Sequence, residues 1–183
     1  MGRLRDQIVY LAGPIDSDPN RGTEYRKELI PILRKYGIGI LSPLDKSTVF
    51  CPHLNEDEEL HRIRTEFLKN KDYENYSRIM KEIVRVDLSM VDAAHFLIIY
   101  IDKTLHMCGT YHELVMASIE RKPCLIVCRQ GMENIPPWLW GIIPYEFFFS
   151  SFEELDMYLS KIDNLSHKPK FWRFFDMKRI YDA

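Results

Sequence analysis

The sequence predicts a three-layer α/β domain built on a five-stranded parallel sheet, with a strand order near 2-1-3-4-5. Three observations support this fold class. Short apolar runs alternate with segments of helical periodicity along the chain, and this alternation is typical of a parallel sheet with right-handed crossovers. The chain has 183 residues, of which 46% are hydrophobic, and this is enough for one domain with a substantial core. The sequence contains no repeats and no low-complexity tract.

Each predicted strand is a short apolar run, and residues that cannot continue a strand end the first two. Gly13 and Pro14 follow the first run, and Ser42 and Pro43 follow the second. Proline ends a strand because it lacks the amide hydrogen that a central strand needs. The predicted strands are residues 7–12, 38–41, 95–101, 124–128 and 146–149.

The predicted helices lie between these strands and have recognisable ends. Gly37 stands directly after the first helix, where a left-handed residue commonly ends a helix, and Ser150 or Ser151 caps the last one. The polar segment 46–73, which contains Pro52 and a run of acids, predicts an insertion or lid with some helix. The predicted helices are residues 21–36, 76–90, 111–120 and 152–162.

We expect residues 1–165 to form the single domain and residues 166–183 to form a C-terminal tail. In this tail, aromatic side chains are interleaved with basic ones, which favours a docking segment or an interface between copies of the chain. The formal net charge of the whole chain is only −2. This balance argues against binding to a nucleic acid polymer.

The sequence predicts a cytoplasmic protein without a membrane span, a metal or a cofactor. No apolar run approaches the roughly 20 residues needed to cross a bilayer, and the first residues lack the apolar core of a signal peptide. The four cysteines show no C-x-x-C spacing, which favours reduced, structural cysteines. His106, Cys108 and His112 are close in sequence, but zinc sites usually show tighter paired spacing.

Glu113 is the first candidate for chemistry. It follows an apolar run at 96–101 and a glycine turn, and it precedes a helical stretch, so its carboxylate is placed at the edge where open α/β folds bind ligands. A carboxylate kept charged by the helix N-terminus suits nucleophilic attack on an electrophilic carbon. Thr110-x-x-Glu113 also matches a capping box, in which both side chains satisfy backbone amides.

Asp87 and Tyr10 are two further candidates. Asp87 falls inside the apolar stripe of its helix, which is costly unless the carboxylate is paired or lines a cavity. Alternatively, the helix ends here and Asp87 caps a following turn. Tyr10 lies near the end of the first strand, where its phenol either packs in the core or forms a hydrogen bond with a neighbouring carboxylate.

The loop that starts at Gly13-Pro14-Ile15-Asp16 joins the first strand to the first helix. Backbone amides at such a junction can hold an anion. However, aspartates in this loop oppose a phosphate, and no Walker or dinucleotide glycine pattern is present. Polar contacts to a sugar are the preferred interpretation, with Arg21 and Ser17 as candidate phosphate ligands.

Four segments together resemble the nucleoside 2-deoxyribosyltransferase family, which also includes 2′-deoxynucleoside 5′-monophosphate N-glycosidases. Their order and spacing match over roughly residues 7 to 150. This resemblance implies a flavodoxin-like α/β sandwich, in agreement with the topology predicted above. The four segments are residues 9–16, 40–43, 86–88 and 109–117.

The resemblance also implies a reaction. Glu113 would attack C1′ of a 2′-deoxyribonucleoside, or of its 5′-monophosphate, and form a deoxyribosyl ester; the sugar then passes to another nucleobase or to water. Tyr10 would form a hydrogen bond with this nucleophile, and Asp87 would contact the departing base and help to protonate it. Members form homo-oligomers, of two or more subunits, that share site residues. The candidate substrate contacts are Gly13, Pro14, Ile15, Asp16, Asp102, Gly109 and Thr110.

The chain departs from the family pattern at two positions. Val115 stands where glycine is usual, and the nearest candidate for a second carboxylate before the nucleophile is Asp102. Two other functions stay open. A phosphoribohydrolase motif ends like Gly109-Thr110-x-x-Glu113, although the preceding residues lack its two glycines. A nucleotide-binding sensor without catalytic activity would use a related fold.

Overall fold

The structure, a computed structural model, describes residues 2–164 and 171–172. Its five strands form one parallel sheet in the order β2-β1-β3-β4-β5, which confirms the α/β class and the strand order predicted from the sequence. The strands are β1 (Ile8–Ala12), β2 (Gly39–Leu41), β3 (Phe96–Tyr100), β4 (Cys124–Val127) and β5 (Phe148–Phe149).

Helices cover both faces of the sheet. From β1 to β2 the chain crosses toward one edge of the sheet, and from β2 to β3 it crosses back toward the other edge. Because crossovers between parallel strands are right-handed, the first helix lies on one face of the sheet and the two helices after β2 lie on the other face. The last helix lies beside the first, where Lys35 Nζ forms an ion pair with Asp156 at 2.9 Å. The helices are α1 (Thr23–Lys35), α2 (Glu58–Lys69), α3 (Tyr73–Ala93), α4 (Cys108–Ile119), α5 (Pro137–Ile142) and α6 (Phe152–Asp163).

Several boundaries differ from the prediction. Helix α3 begins earlier than expected because the Asp72 carboxylate accepts a hydrogen bond from the Asn75 backbone amide, which is a cap that the sequence analysis missed. Helix α4 begins three residues before the predicted start. Strand β5 contains two residues, since Tyr145–Phe147 forms a 3₁₀ turn in place of the expected strand. Ser151 caps α6 as predicted.

The insertion at 46–73 is a packed part of the domain. It contains two 3₁₀ turns followed by α2, and Leu54 and Leu60 join the hydrophobic core. It also buries Lys46, Glu56 and Arg64. The segment therefore brings charged side chains into the interior next to α3.

The start of the C-terminal tail is anchored in the core. Trp172 is fully buried, its ring lies 4.9 Å from that of Phe96, and its indole Nε1 donates a hydrogen bond to Tyr158 Oη at 2.9 Å. None of the helices in the described part of the chain is long and apolar enough to cross a membrane. The other basic and aromatic residues on which the predicted docking tail rests lie outside the described residues; they are Lys168, Lys170, Arg173, Phe174, Phe175, Lys178 and Arg179.

The substitution Trp172→Ala tests whether this anchor stabilises the domain. Removing a fully buried indole costs about 3–5 kcal/mol of unfolding free energy, because it leaves a cavity and removes packing contacts. Trp138, whose residue surface is 79% exposed, provides the matched control, and Trp138→Ala should change the unfolding free energy by less than about 0.5 kcal/mol. Urea unfolding followed by circular dichroism measures both values. Equal values for the two variants would contradict the anchoring role.

Candidate active site

A cavity of about 420 Å³ opens at the carboxyl edge of the sheet. The loop after β1 forms one side, α3 forms a second and the N-terminal half of α4 forms a third. Much of the α3 wall is apolar. Four carboxyl groups line the same space, and no lysine or arginine is among its described lining residues. The α3 apolar side chains are Met80, Ile83, Val84 and Leu88, and the four acids are Asp16, Glu56, Asp87 and Glu113.

Tyr10 and Glu113 form the central contact of the site. The Tyr10 hydroxyl donates a hydrogen bond to Glu113 Oε1 at 2.7 Å. Tyr10 is fully buried in β1, so the sheet fixes the position of the phenol. Helix α4 begins at Cys108 without a side-chain cap, which places Thr110 and Glu113 inside the helix. The capping-box interpretation is therefore wrong, and the Glu113 carboxyl group is available to the cavity.

Burial raises the pKa of Glu113 to about 7, and the hydrogen bond from Tyr10 partly opposes this rise. The nearby Glu56 carboxyl group raises the pKa further. We expected the helix N-terminus to keep this carboxylate fully charged. That expectation placed Glu113 in the first turn of α4, whereas it lies in the second turn, beyond the strongest part of the helix dipole.

Asp87 lies in the middle of α3, which continues to Ala93. The alternative that the helix ends at Asp87 is therefore wrong. The side chain is buried, and its Oδ1 atom lies 2.9 Å from Lys46 Nζ. Burial raises the pKa of Asp87, Glu56 raises it further, and Lys46 lowers it. The carboxyl group on the apolar stripe is thus paired with Lys46 and lines a cavity. Both features offset the free-energy cost of burying a carboxylate in an apolar environment.

Lys46 and Glu56 are site residues that the sequence analysis missed. Lys46 is fully buried, and its ammonium group contacts Leu54 O at 2.9 Å and Glu56 Oε1 at 3.3 Å, as well as Asp87. Both residues occur in the part of the polar segment that precedes α2, where no apolar periodicity marks a buried face. The one sequence signal was the run of acids that begins at Glu56, and this signal does not indicate which acid is buried.

The loop after β1 is held rigidly by buried arginines. Arg26 donates to Gly22 O at 2.8 Å and to Leu11 O at 3.0 Å. Asp16 accepts hydrogen bonds from Arg64 Nη2 at 2.6 Å and from Arg21 Nη1 at 3.0 Å. Partial burial raises the pKa of Asp16, but the two guanidinium groups outweigh this effect and lower the pKa below its ordinary value. Asp16 therefore presents a charged carboxylate at the cavity.

The candidate phosphate ligands contact protein atoms. Arg21 is buried and donates to Asp16 and to Ile15 O at 3.1 Å. Ser17 Oγ donates to His106 O at 2.7 Å, and this bond joins the loop after β1 to the segment before α4. Both side chains are thus engaged in holding the cavity walls.

The structure brings most of the predicted site residues together. Glu113 and Asp87 line the same cavity, and Tyr10 lies directly behind Glu113. Asp102 lies elsewhere, because the chain turns immediately after β3 and the Asp102 carboxylate accepts hydrogen bonds from Thr104 Oγ1 and Gln130 Nε2. The predicted substrate contacts that line the cavity are Gly13, Pro14, Ile15, Asp16, Gly109 and Thr110.

Within residues 2–164 and 171–172, no group of three or more histidine, cysteine or acidic side chains is arranged to hold a metal ion. The four cysteines all carry free thiols.

The fold and the site together define a class of α/β protein in which several carboxyl groups face one small-molecule cavity at the carboxyl edge of a parallel sheet. The family model described as nucleoside 2-deoxyribosyltransferase matches residues 9–137, which is more than half of the chain. The chain therefore belongs to the nucleoside 2-deoxyribosyltransferase family, and the resemblance found in the sequence is confirmed.

The fold is similar to that of a solved structure, the 2-deoxyribosyltransferase of the psychrotolerant bacterium Bacillus psychrosaccharolyticus. The two chains are 18% identical and superpose with a TM-score of 0.51, over 81% of this chain and 90% of the other. At this level of identity the likeness concerns the fold alone. No curated protein sequence matches the chain at a significant level.

The substitution Gly13→Ala tests the packing beneath the cavity. A Cβ atom at position 13 would clash with the Tyr25 hydroxyl and would lie 2.7 Å from Tyr25 Cζ. Tyr25 is buried and stacks on Tyr100 at 4.6 Å, so we expect a loss of about 1–3 kcal/mol of unfolding free energy. A Cβ atom at Gly109 meets nothing within 4 Å, so Gly109→Ala is the control. Urea unfolding that shows equal stability for both variants would refute this packing argument.

The substitution Glu113→Gln tests the raised pKa through stability. The folded-state pKa of about 7 exceeds the ordinary value of 4.5, so wild-type stability should fall as the pH rises from about 4.5 to about 7. Glutamine removes this loss. The variant should gain about 2 kcal/mol over wild type above pH 7, a value reduced for partial exposure of the side chain, and should gain little near pH 4.

Thermal unfolding at several pH values measures this difference. The exposed Glu58 in α2 provides the control, because Glu58→Gln should show no comparable dependence on pH. A Glu113→Gln variant whose stability parallels that of wild type from pH 4 to pH 8 would contradict the raised pKa.

Proposed function

We propose that the protein cleaves the N-glycosidic bond of a 2′-deoxyribonucleoside, or of its 5′-monophosphate, by double displacement at C1′. The observation that carries the proposal is the convergence of Glu113 from α4 and Asp87 from α3 on one cavity, with Tyr10 bonded to Glu113. Membership of the family supports the class of reaction. A cavity of about 420 Å³ has a volume typical of sites for small molecules.

In the first displacement, the ionised Glu113 carboxylate attacks C1′. The bond between C1′ and the base nitrogen breaks, its electron pair leaves with the base, and Asp87 transfers a proton to that base. Tyr10 engages Oε1 of Glu113, so Oε2 is the oxygen available for attack. The product of this step is a deoxyribosyl ester of Glu113 together with the free base.

In the second displacement, a base nitrogen or a water molecule attacks C1′ from the side that the first base has left. The ester bond breaks, Glu113 leaves as a carboxylate, and Asp87 takes up the proton of the attacking group. Two inversions at C1′ give net retention of configuration. Transfer and hydrolysis differ only in the group that attacks.

The walls of the cavity support the expected positions of base and sugar. The apolar side chains of α3, including Ile83 and Leu88, form a surface suited to a planar base beside Asp87. Asp16 and the N-terminal end of α4 lie on other walls of the cavity, where polar groups can contact the sugar.

Self-association and a cytoplasmic setting also belong to this proposal. Val84 and Ile119 expose apolar side chains on α3 and α4, which favours contact with a second copy. Four free thiols suit a reducing compartment.

The substitution Glu113→Ala tests the proposed nucleophile. We expect kcat/KM for base release to fall by at least about four orders of magnitude, because removal of a nucleophile abolishes the covalent route. The assay incubates the protein with a deoxynucleoside or its 5′-monophosphate, with and without an acceptor base, and separates the products by chromatography. Glu58→Ala, at an exposed position, should retain wild-type turnover, and circular dichroism reports whether each variant is folded.

Base release by folded Glu113→Ala at the wild-type rate would remove Glu113 from this role. Wild-type protein that binds these compounds without releasing base would favour the sensor. A parallel incubation with a ribonucleoside 5′-monophosphate that releases base, while the deoxy compounds release none, would favour the phosphoribohydrolase.

A further inference from the structure

The ammonium group of Lys46 lies in a closed oxygen cage. Lys46 has no exposed surface, and three oxygen atoms, from Leu54, Glu56 and Asp87, lie within 3.3 Å of its Nζ atom. The ammonium group donates hydrogen bonds to Leu54 O and Glu56 Oε1, and Asp87 Oδ1 lies at ion-pair distance without a hydrogen bond. These contacts hold one positive charge directly beside the proposed acid.

The backbone around the cage is also fixed. The Lys46 amide donates to Asn55 Oδ1 at 2.6 Å, and the Glu56 amide donates to Pro43 O at 3.1 Å. Pro43 lies just after β2. The sheet and the insertion therefore set the position of Lys46 relative to α3.

The cage contains one cation and two carboxyl groups. If Glu56 and Asp87 were both ionised, the buried group would carry a net negative charge, and such a charge is costly in the interior. If one carboxyl group retains a proton, the group is neutral. Glu56 contacts the same nitrogen as Asp87, so the two carboxyl groups compete for one positive charge.

We infer that Glu56 and Lys46 are positioning residues for Asp87: Glu56 keeps a proton on the Asp87 carboxyl group in the resting site, and Lys46 stabilises the Asp87 carboxylate once that proton has left. The inference rests on the proposed function, in which Asp87 protonates the departing base. Glu56 neutralises Lys46 while Asp87 is protonated. When Asp87 transfers its proton to the base nitrogen, Lys46 at 2.9 Å offsets the new negative charge.

Over one turnover, Asp87 loses one proton and regains one. Asp87 gives its proton to the departing base in the first displacement and regains a proton from the attacking base or water in the second. The other titratable groups that act on Asp87 are Glu113 from α4 and Tyr10 from β1, and neither pairs with Lys46.

Two substitutions should move the pH profile in opposite directions. Activity requires ionised Glu113 and protonated Asp87, so kcat/KM should rise with pH on the acid limb and fall on the alkaline limb as Asp87 loses its proton. Glu56→Gln removes the competitor for Lys46, and the alkaline limb should move down by about one pH unit or more. Lys46→Met removes the cation, and this limb should move up by a similar amount.

The leaving group provides a second readout. Lys46→Met should lower kcat on 2′-deoxyadenosine by about 10²-fold or more, because general acid catalysis contributes on this scale. An N7-methylated purine deoxynucleoside already carries a positive charge on its base, so its departure needs no proton. On that substrate the loss should stay below about tenfold. Lys69→Met, at an exposed position in α2, should change neither rate.

Nuclear magnetic resonance titration of ¹³C-labelled aspartate keeps the test independent of turnover and of the stability of Lys46→Met. Glu56→Gln changes one atom of a side chain and is the decisive variant. A downward shift of the Asp87 titration in Glu56→Gln supports the inference, and an unchanged or upward shift overturns it. Wild-type protein that releases no base refutes the proposed function alone, since the titration still reports on the cage.

Discussion

The hydrogen bond between Tyr10 and Glu113 is the contact on which the arrangement of the site depends. It joins the inner strand β1 to α4 at 2.7 Å, and its donor cannot move without disturbing the sheet. Helix α4 is thereby held with the Glu113 carboxyl group at the cavity. The packing of α4 against the sheet also buries the same carboxyl group and thereby raises its pKa. The position of the Glu113 carboxyl group and its affinity for a proton therefore both follow from this packing. The ion pair of Lys46 and Asp87 fixes the opposite wall in a comparable way.

Sequence patterns predicted the sheet well and the element ends poorly. Apolar runs such as 95–101 predicted the strands because a central parallel strand is buried on both faces. The start of α4 was missed since no capping side chain marks it. Strand β5 was predicted too long, because Phe147 packs inward from a 3₁₀ turn rather than from a strand. Apolar character reports burial, and it does not by itself report backbone conformation.

The site was predictable where a residue conflicted with its surroundings. Asp87 stood out as a carboxyl group on an apolar stripe, and the resemblance related it to Glu113 and Tyr10. Lys46 and Glu56 could not be found in this way, because charged residues in a polar segment give no conflict, and only tertiary packing shows that they are buried. Asp102 was misplaced because its distance from the cavity depends on a turn after β3.

The hydrogen bond from Ser17 to the His106 carbonyl joins two walls of the cavity. One partner follows β1 and the other precedes α4, so the bond ties the loop after the first strand to the segment that leads into the helix of Glu113. These two segments are 89 residues apart along the chain, and a displacement of one wall is therefore transmitted to the other.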